Sequence, residues 1–485
     1  MKTNFCPGPI SRRSFLQFGG LSMLGMNLAD SLRLNAVAAT TASSAAAAAV
    51  QASVPSDTSV IFIWLPGGPP HMEMYDMKPE APVEYRGIFR PVKTNVSGIE
   101  ICELLPLQAK IADKFNIIRS VSHEFADHGG GHKRFLTGRI PATPVGTVND
   151  APAITSVVFK CLTENGGFKG GMPPVVFGTD AGRNGLDTFA NGPAYLGGAN
   201  TPFIVAGDPS DKNFKVQNLG ITREMETRLE DRMALRRGLD TFRREMDQSG
   251  VLQAMDSFNQ NAYQMLTSSK VRDAFDLSLE SPRVRERYGM HAYGQRGLMA
   301  RRLVEAGCRF VEMVWENPFP GTPLPSDCSY NWDSHAVNCN IFNDSRWRFP
   351  AYDQAVSALI EDLYARGLDR RTMLVVTGEF GRTPKINSAV GTASKIMQPG
   401  RDHWPKSMSM IVAGGGMRTG QIIGATNSRG EYPVERPLTP NDLWATVYQH
   451  LGIDSTRSFL DHQGRPMPIL PFGDTIDELL PSKSA

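Results

Sequence analysis

The sequence lacks a decisive charge. Its 485 residues carry 51 Lys plus Arg against 49 Asp plus Glu. That balance excludes a strongly basic nucleic-acid binder and an acidic disordered chain. It also lacks a CxxC pair, which removes a cysteine zinc site and a thioredoxin-type centre from the expectations. There is no P-loop and no GxSxG elbow. The segment His123-Glu124-Phe125-Ala126-Asp127 comes nearest to the HExxH metalloprotease pattern. It ends in Asp where that pattern needs its second His. Beyond residue 39 no apolar run is long enough to span a bilayer, and there is no internal repeat or heptad array.

Glycine and proline, by contrast, are plentiful. The chain has 46 Gly and 34 Pro, where average usage predicts roughly 58 of the two together. The excess has no triplet period, so collagen is excluded, and it fits a loop-rich α/β protein better than a helical bundle.

The first 39 residues read as an export segment rather than as part of the fold. Ser11-Arg12-Arg13-Ser14-Phe15-Leu16-Gln17 resembles a twin-arginine export signal. An apolar stretch from Phe18 to Leu28 and the small residues Ala36-Val37-Ala38 follow in the order a signal peptidase needs. The expectation is folded export by the twin-arginine translocase to the periplasm or beyond. The segment holds Lys2, Arg12, Arg13 and Arg33 against Asp30, so its removal leaves 47 basic and 48 acidic residues. Residues 40–57, rich in Ala, Thr and Ser, read as a flexible tether. Five cysteines remain after Cys6 leaves. Cys328 and Cys339 flank Asp333 and His335, and a loop-closing disulfide is an expectation there.

Six short apolar runs read as strands: Ser59–Leu65, Asn116–Val121, Pro174–Phe177, Arg309–Trp315, Thr372–Thr377 and Ser409–Ala413. Their apolarity is continuous rather than alternating, which predicts a mostly parallel sheet covered on both faces. Helices are predicted over Tyr352–Arg366 and from Thr439-Pro440 to Gly452. Residues 222–300, dense in Arg, Glu, Asp and Met, read as a helical insertion with breaks at Gly238 and Gly250.

Ligands of open α/β sheets bind beyond the carboxyl ends of the strands. The polar residues follow that rule. Glu73 and His71 follow the first run; His123, His128, His132 and the triplet Gly129-Gly130-Gly131 follow the second. Asp333 and His335 follow the fourth, and Glu379 and Arg382 the fifth. His403 instead precedes the last run. Imidazole and carboxylate clustered in Gly-rich loops point to a divalent metal or to acid–base chemistry.

The chain resembles the bacterial family called domain of unknown function 1501, a branch of the alkaline phosphatase and sulfatase superfamily. The resemblance covers about 58–480 and rests on GGPPHMEMYDMKP (67–79), DHGGGHKRFLTGR (127–139), LMARRLVEAGCRFVEMVW (298–315), NWDSH (331–335), VVTGEFGRTPKIN (375–387), GRDHWP (400–405) and TPNDLWATVYQHLGID (439–454). It implies one alkaline-phosphatase-like α/β domain, helices on both faces of a mostly parallel sheet, and hydrolysis of phosphate or sulfate esters. It implies divalent metal (Zn, Ca, Mg or Mn) and an anionic ester or sulfated glycan as substrate.

Carried over by residue, Asp333, His335 and His403 resemble the ligands of one metal. Glu379 stands where the superfamily has the Asp of an Asp-His-Gly pair, with Phe380 in place of the His. Glu73 resembles the carboxylate near the first strand. His128 falls at the sulfatase nucleophile position and His132 at the signature Arg. Three routes stay open: attack by His128, attack by a metal-bound hydroxide with His128 or His132 as acid–base, or anion binding without turnover. Gly129, Gly130, Gly131 and Arg382 are the anion-binding candidates. The alternative function is a catalytically silent anion- or glycan-binding protein of the cell surface.

Overall fold

In the computed structural model, residues 57–480 are described, apart from 147, 165–168, 183–189, 217, 218 and 220–264. The export signal, nearly all of the tether, and Gly238 and Gly250 lie outside the described residues.

All six apolar runs are strands of one eight-stranded sheet. In chain order its strands are β1 (Ser59–Trp64), β2 (Phe115–Val121), β3 (Val175–Thr179), β4 (Phe203–Ala206), β5 (Phe310–Val314), β6 (Thr372–Thr377), β7 (Met408–Gly414) and β8 (Ile422–Ile423). They lie in the order β8-β2-β7-β6-β1-β5-β3-β4. Every neighbouring pair is parallel except the two that β7 makes, with β2 and β6, which are antiparallel. The chain is therefore a mixed α/β protein with a mostly parallel central sheet. The edge strands β4 and β8 were not anticipated. Phe203 and Ile204 are only half-buried, and β8 has two residues, too few for a run to register.

Strand β1 explains why continuous apolarity marks this sheet. Ile61 and Ile63 face one core; Val60, Phe62 and Trp64 face the other. All six of its residues are buried. Each fully buried Val, Ile or Phe side chain contributes about 1.5–3 kcal/mol.

One face packs against α3 (Ala292–Glu305) and α4 (Ile341–Ala365), the other against α1 (His128–Thr137), α2 (Ile154–Glu164) and α5 (Pro440–Leu451). Helix α5 starts on a capping box between Thr439 and Asp442 and ends at left-handed Gly452, as its sequence predicts. Helix α4 is longer than predicted. It begins at Ile341 on the cap Asn340 and runs through Pro350. Interior proline costs about 3 kcal/mol. Burial of Ile341, Phe349 and Tyr352 along the same helix outweighs that cost.

Within 222–300 the described part carries helices Ser269–Phe275 and Pro282–Tyr288 and the start of α3. Cys328 and Cys339 are separate buried thiols rather than a disulfide. Burial raises the Cys328 thiol to about 12. Among the described residues no helix is long and apolar enough to cross a membrane.

Candidate metal centre

The loops at the carboxyl ends of the parallel strands bring the polar residues together. Glu379 follows β6, Asp333 and His335 follow β5, and His128 follows β2 as the first residue of α1. His403 precedes β7, and the antiparallel run of β7 explains its place. Met408 pairs with Val121 at the end of β2, so β7 begins where its neighbour ends. His403 thus reaches the same end of the sheet from the opposite chain direction. It sits on a two-residue ribbon in which His403 pairs with Arg382.

Ligand atoms of His128, Asp333 and His403 lie within 4.8 Å of one another. His403 Nε2 is 3.2 Å from Asp333 Oδ1, and His128 Nε2 is 3.4 Å from Asp333 Oδ2. His335 Nε2 is 3.2 Å from Asp333 Oδ1 and 2.8 Å from His403 Nε2.

The other ring nitrogens decide what those atoms carry. His128 Nδ1 is 2.8 Å from Glu379 Oε1, His335 Nδ1 2.8 Å from Asp402 Oδ1, and His403 Nδ1 2.6 Å from the Ala126 carbonyl. Carbonyl and carboxylate oxygens only accept, so each Nδ1 carries the hydrogen. In the neutral rings each Nε2 then offers a lone pair toward the Asp333 carboxylate. Lone pairs and carboxylate oxygens facing one another repel unless a cation or extra protons lie between them. Imidazoles anchored outward through Nδ1, with Nε2 turned inward, are the arrangement in which proteins present histidine to a metal. The donor set fits a divalent ion.

Electrostatics follow the same geometry. For His128 burial opposes the charge, but hydrogen bonds with Asp333 and Glu379 raise its pKa to about 9. Burial also pushes the Asp333 carboxyl up. Its contacts with His128 and His403 and the charge of Arg382 nevertheless hold it well below the usual carboxylate range. Glu379 is fully buried, which raises it, yet the charge of His132 and the bond from His128 hold it low. Burial lowers His403.

Glu379 is a second centre of order. Both its oxygens accept from the Gly67 N–H, at 2.9 and 3.1 Å, and His132 Nε2 lies 3.3 Å from Oε1. Arg382 is buried and spends its guanidinium inside the protein. It donates to Asp333 Oδ1 at 2.6 Å and to the carbonyls of Gly67, Gly68, Trp332 and Arg401. It orients Asp333 and is turned mainly to partners inside the protein.

The triplet Gly129, Gly130 and Gly131 also differs from its expected use. Gly129 and Gly130 donate to the Asp127 carboxylate and Gly131 to the Asp127 carbonyl. These N–H groups cap α1 and are not turned to an anion. Glycine is needed there for contact. A Cβ on Gly129 would lie 2.4 Å from the Gly146 carbonyl oxygen, and one on Gly131 2.9 Å from the Phe380 ring. Phe380 itself is buried with its ring centre 4.5 Å from that of His403.

Glu73 stands apart from the cluster, paired with buried Arg401 at 2.6 Å. The positioning groups Asp402, Ala126 and Asn338, which donates to Asp333 Oδ2 at 2.8 Å, were missed in sequence. Asp402 carried one available signal: it directly precedes His403.

Residues 57–480 match the family described as "Protein of unknown function (DUF1501)", and the chain belongs to it. No curated protein matches in sequence. Solved structures with partial likeness include PsFucS1 sulfatase from Pseudoalteromonas sp., with TM-score 0.35 and 11% identity over 82% of this chain and 68% of that one. A TAB5 alkaline phosphatase mutant gives 0.36 and 11% over 83% and 99%. The phosphonate monoester hydrolase SpPMH from Silicibacter pomeroyi gives 0.36 and 11% over 89% and 78%.

Proposed function

We propose that the protein is an exported, metal-dependent hydrolase of phosphate or sulfate esters, acting on a small anionic ester or a sulfated glycan in the periplasm or outside the cell. One observation carries the reading: the Nε2 atoms of His128, His335 and His403 converge on the Asp333 carboxylate, with their Nδ1 hydrogens committed elsewhere. These four residues would hold the ion. Three imidazoles favour Zn over Ca, Mg or Mn, which prefer oxygen ligands. A divalent ion there would polarise the ester oxygen and acidify the attacking group.

The chain's own residues supply the rest. Glu379, Asp402 and the Ala126 carbonyl orient the three rings, and Arg382 orients Asp333. His128 has both nitrogens engaged, which disfavours it as the attacking atom. His132 contacts Glu379 alone among the acids of the cluster and is the better candidate for moving a proton.

Metal content and turnover test this together. Protein reconstituted with Zn is expected to hold at least one ion per chain and to hydrolyse an aryl phosphate or aryl sulfate. His403→Ala should lose both. His132→Gln should keep the ion and lose roughly 10²–10⁴-fold in kcat. Substoichiometric metal after reconstitution defeats the proposal.

A second reading, a silent anion- or glycan-binding protein, draws on one feature. No Ser, Thr or Cys side chain hydrogen-bonds to any member of the cluster among the described residues. Saturable binding of a sulfated glycan with no turnover by the metal-loaded protein would favour it.

A further inference from the structure

The segment after Arg382 forms a hairpin of inverted polarity. Its strands, Asn387–Val390 and Met397–Gly400, pair antiparallel, with Val390 opposite Met397 and Ala389 opposite Gln398. Side chains alternate across such a ribbon, and the usual order is apolar inward and polar outward. Here Gln398 is buried and donates to the Ala336 carbonyl at 2.9 Å. Val390 and Met397, on the opposite face, are 56% and 66% exposed. Ile396, on the turn, is 61% exposed, and Val337, whose carbonyl accepts from Thr392 N–H, is 46% exposed. Scattered apolar residues need no explanation, but three gathered on one hairpin, with Val337 of a neighbouring loop beside them, do.

Charge identifies what would cover them. Between Thr383 and Gly400 the chain carries two lysines, Lys385 and Lys395, both exposed, and no acidic residue. An apolar tip with basic residues and no acid is complementary to an anionic lipid surface, where apolar side chains enter the headgroup boundary and ammonium groups meet phosphate. We propose that this hairpin docks the protein on an anionic lipid surface. The hairpin is also tied to the candidate centre. Asn387 donates to Asp402 Oδ2 at 2.7 Å, and Asp402 Oδ1 holds His335 Nδ1 at 2.8 Å. The inference is independent of any catalytic activity.

Co-sedimentation of the full chain with vesicles of phosphatidylglycerol or of phosphatidylcholine tests it. The N-terminal segment is common to all variants and cancels in the comparison. The wild-type protein should prefer phosphatidylglycerol, with a preference that weakens in high salt. Ile396→Asp combined with Met397→Asp should lower affinity for those vesicles at least about tenfold. Lys395→Glu should lower it by about fivefold or more. Leu460→Asp, on an exposed residue of another hairpin, should change nothing. Matching thermal midpoints keep the variants comparable. Equal vesicle affinity of the wild type and the double variant overturns the proposal. So does a wild type that ignores vesicles but self-associates through this hairpin.

Discussion

Gly67 shows how much of the centre depends on single atoms. It sits at φ +114°, a region that L side chains rarely adopt, and a Cβ there would lie 2.4 Å from the Asp333 backbone nitrogen. Its N–H meanwhile holds both oxygens of Glu379. Gly67→Ala is expected to cost about 1–3 kcal/mol through overpacking and strain, read as a lower urea midpoint. It should also weaken metal binding, because the clash is with the residue that carries the shared carboxylate. An unchanged midpoint would mean that the loop yields freely. Asp402 acts at one remove, through its contact with His335 Nδ1. Asp402→Asn keeps the shape and loses the charge. A drop of about 10-fold or more in metal affinity is expected, as for other groups that orient a ligand. Competition with a chromogenic chelator measures it, and wild-type affinity would remove Asp402 from the centre.

At the scale of elements, α1 carries His128 and His132 on one short, glycine-rich helix. Glycine is a poor helix former, so the cap matters more than usual. The Asp127 carboxylate accepts from Gly129 and Gly130. Asp127→Ala should cost about 0.5–2 kcal/mol and should reduce metal affinity as well, since His128 is the first residue of the helix. A stability loss with metal affinity intact would separate the cap from the centre. Elements also mark what was legible in the sequence. Buried strands announced themselves because both of their faces are covered, as Val60 and Ile61 illustrate. Strand direction did not, since an apolar run reads the same both ways. Only the odd position of His403, ahead of its run, hinted that β7 is reversed. Helix α4 was legible only after Pro350, because a local breaker rule carries no knowledge of tertiary burial. Among polar residues, His and Asp in loops were easy to single out. The commitment of Arg382 and of the triplet's N–H groups to internal partners was not, because it depends on neighbours far away in the chain.

For the molecule as a whole, the centre links folding to both protons and metal. His128 in the metal-free protein has its pKa raised from 6.5 to about 9. A group raised on folding adds stability that is fully present below its unfolded value and is lost as pH rises through the folded value. Asp333 and Glu379 are lowered instead, so their contribution is present above the usual carboxylate range and is lost as pH falls through their depressed values. The metal-free protein should therefore lose stability between about pH 6.5 and 9 from the cluster. A bound cation replaces the proton that His128 holds, and metal affinity should rise over the same interval. Metal at a hundredfold excess over its dissociation constant adds about 2.7 kcal/mol. Urea midpoints in chelator and in saturating Zn, compared near pH 6 and above pH 9, read both effects. The expected pattern is a gap between the two curves that widens with pH. A gap that narrows with pH would mean that His128 does not share its site with the ion. The absence of any gap at either pH would leave the converging Nε2 atoms without a metal to hold.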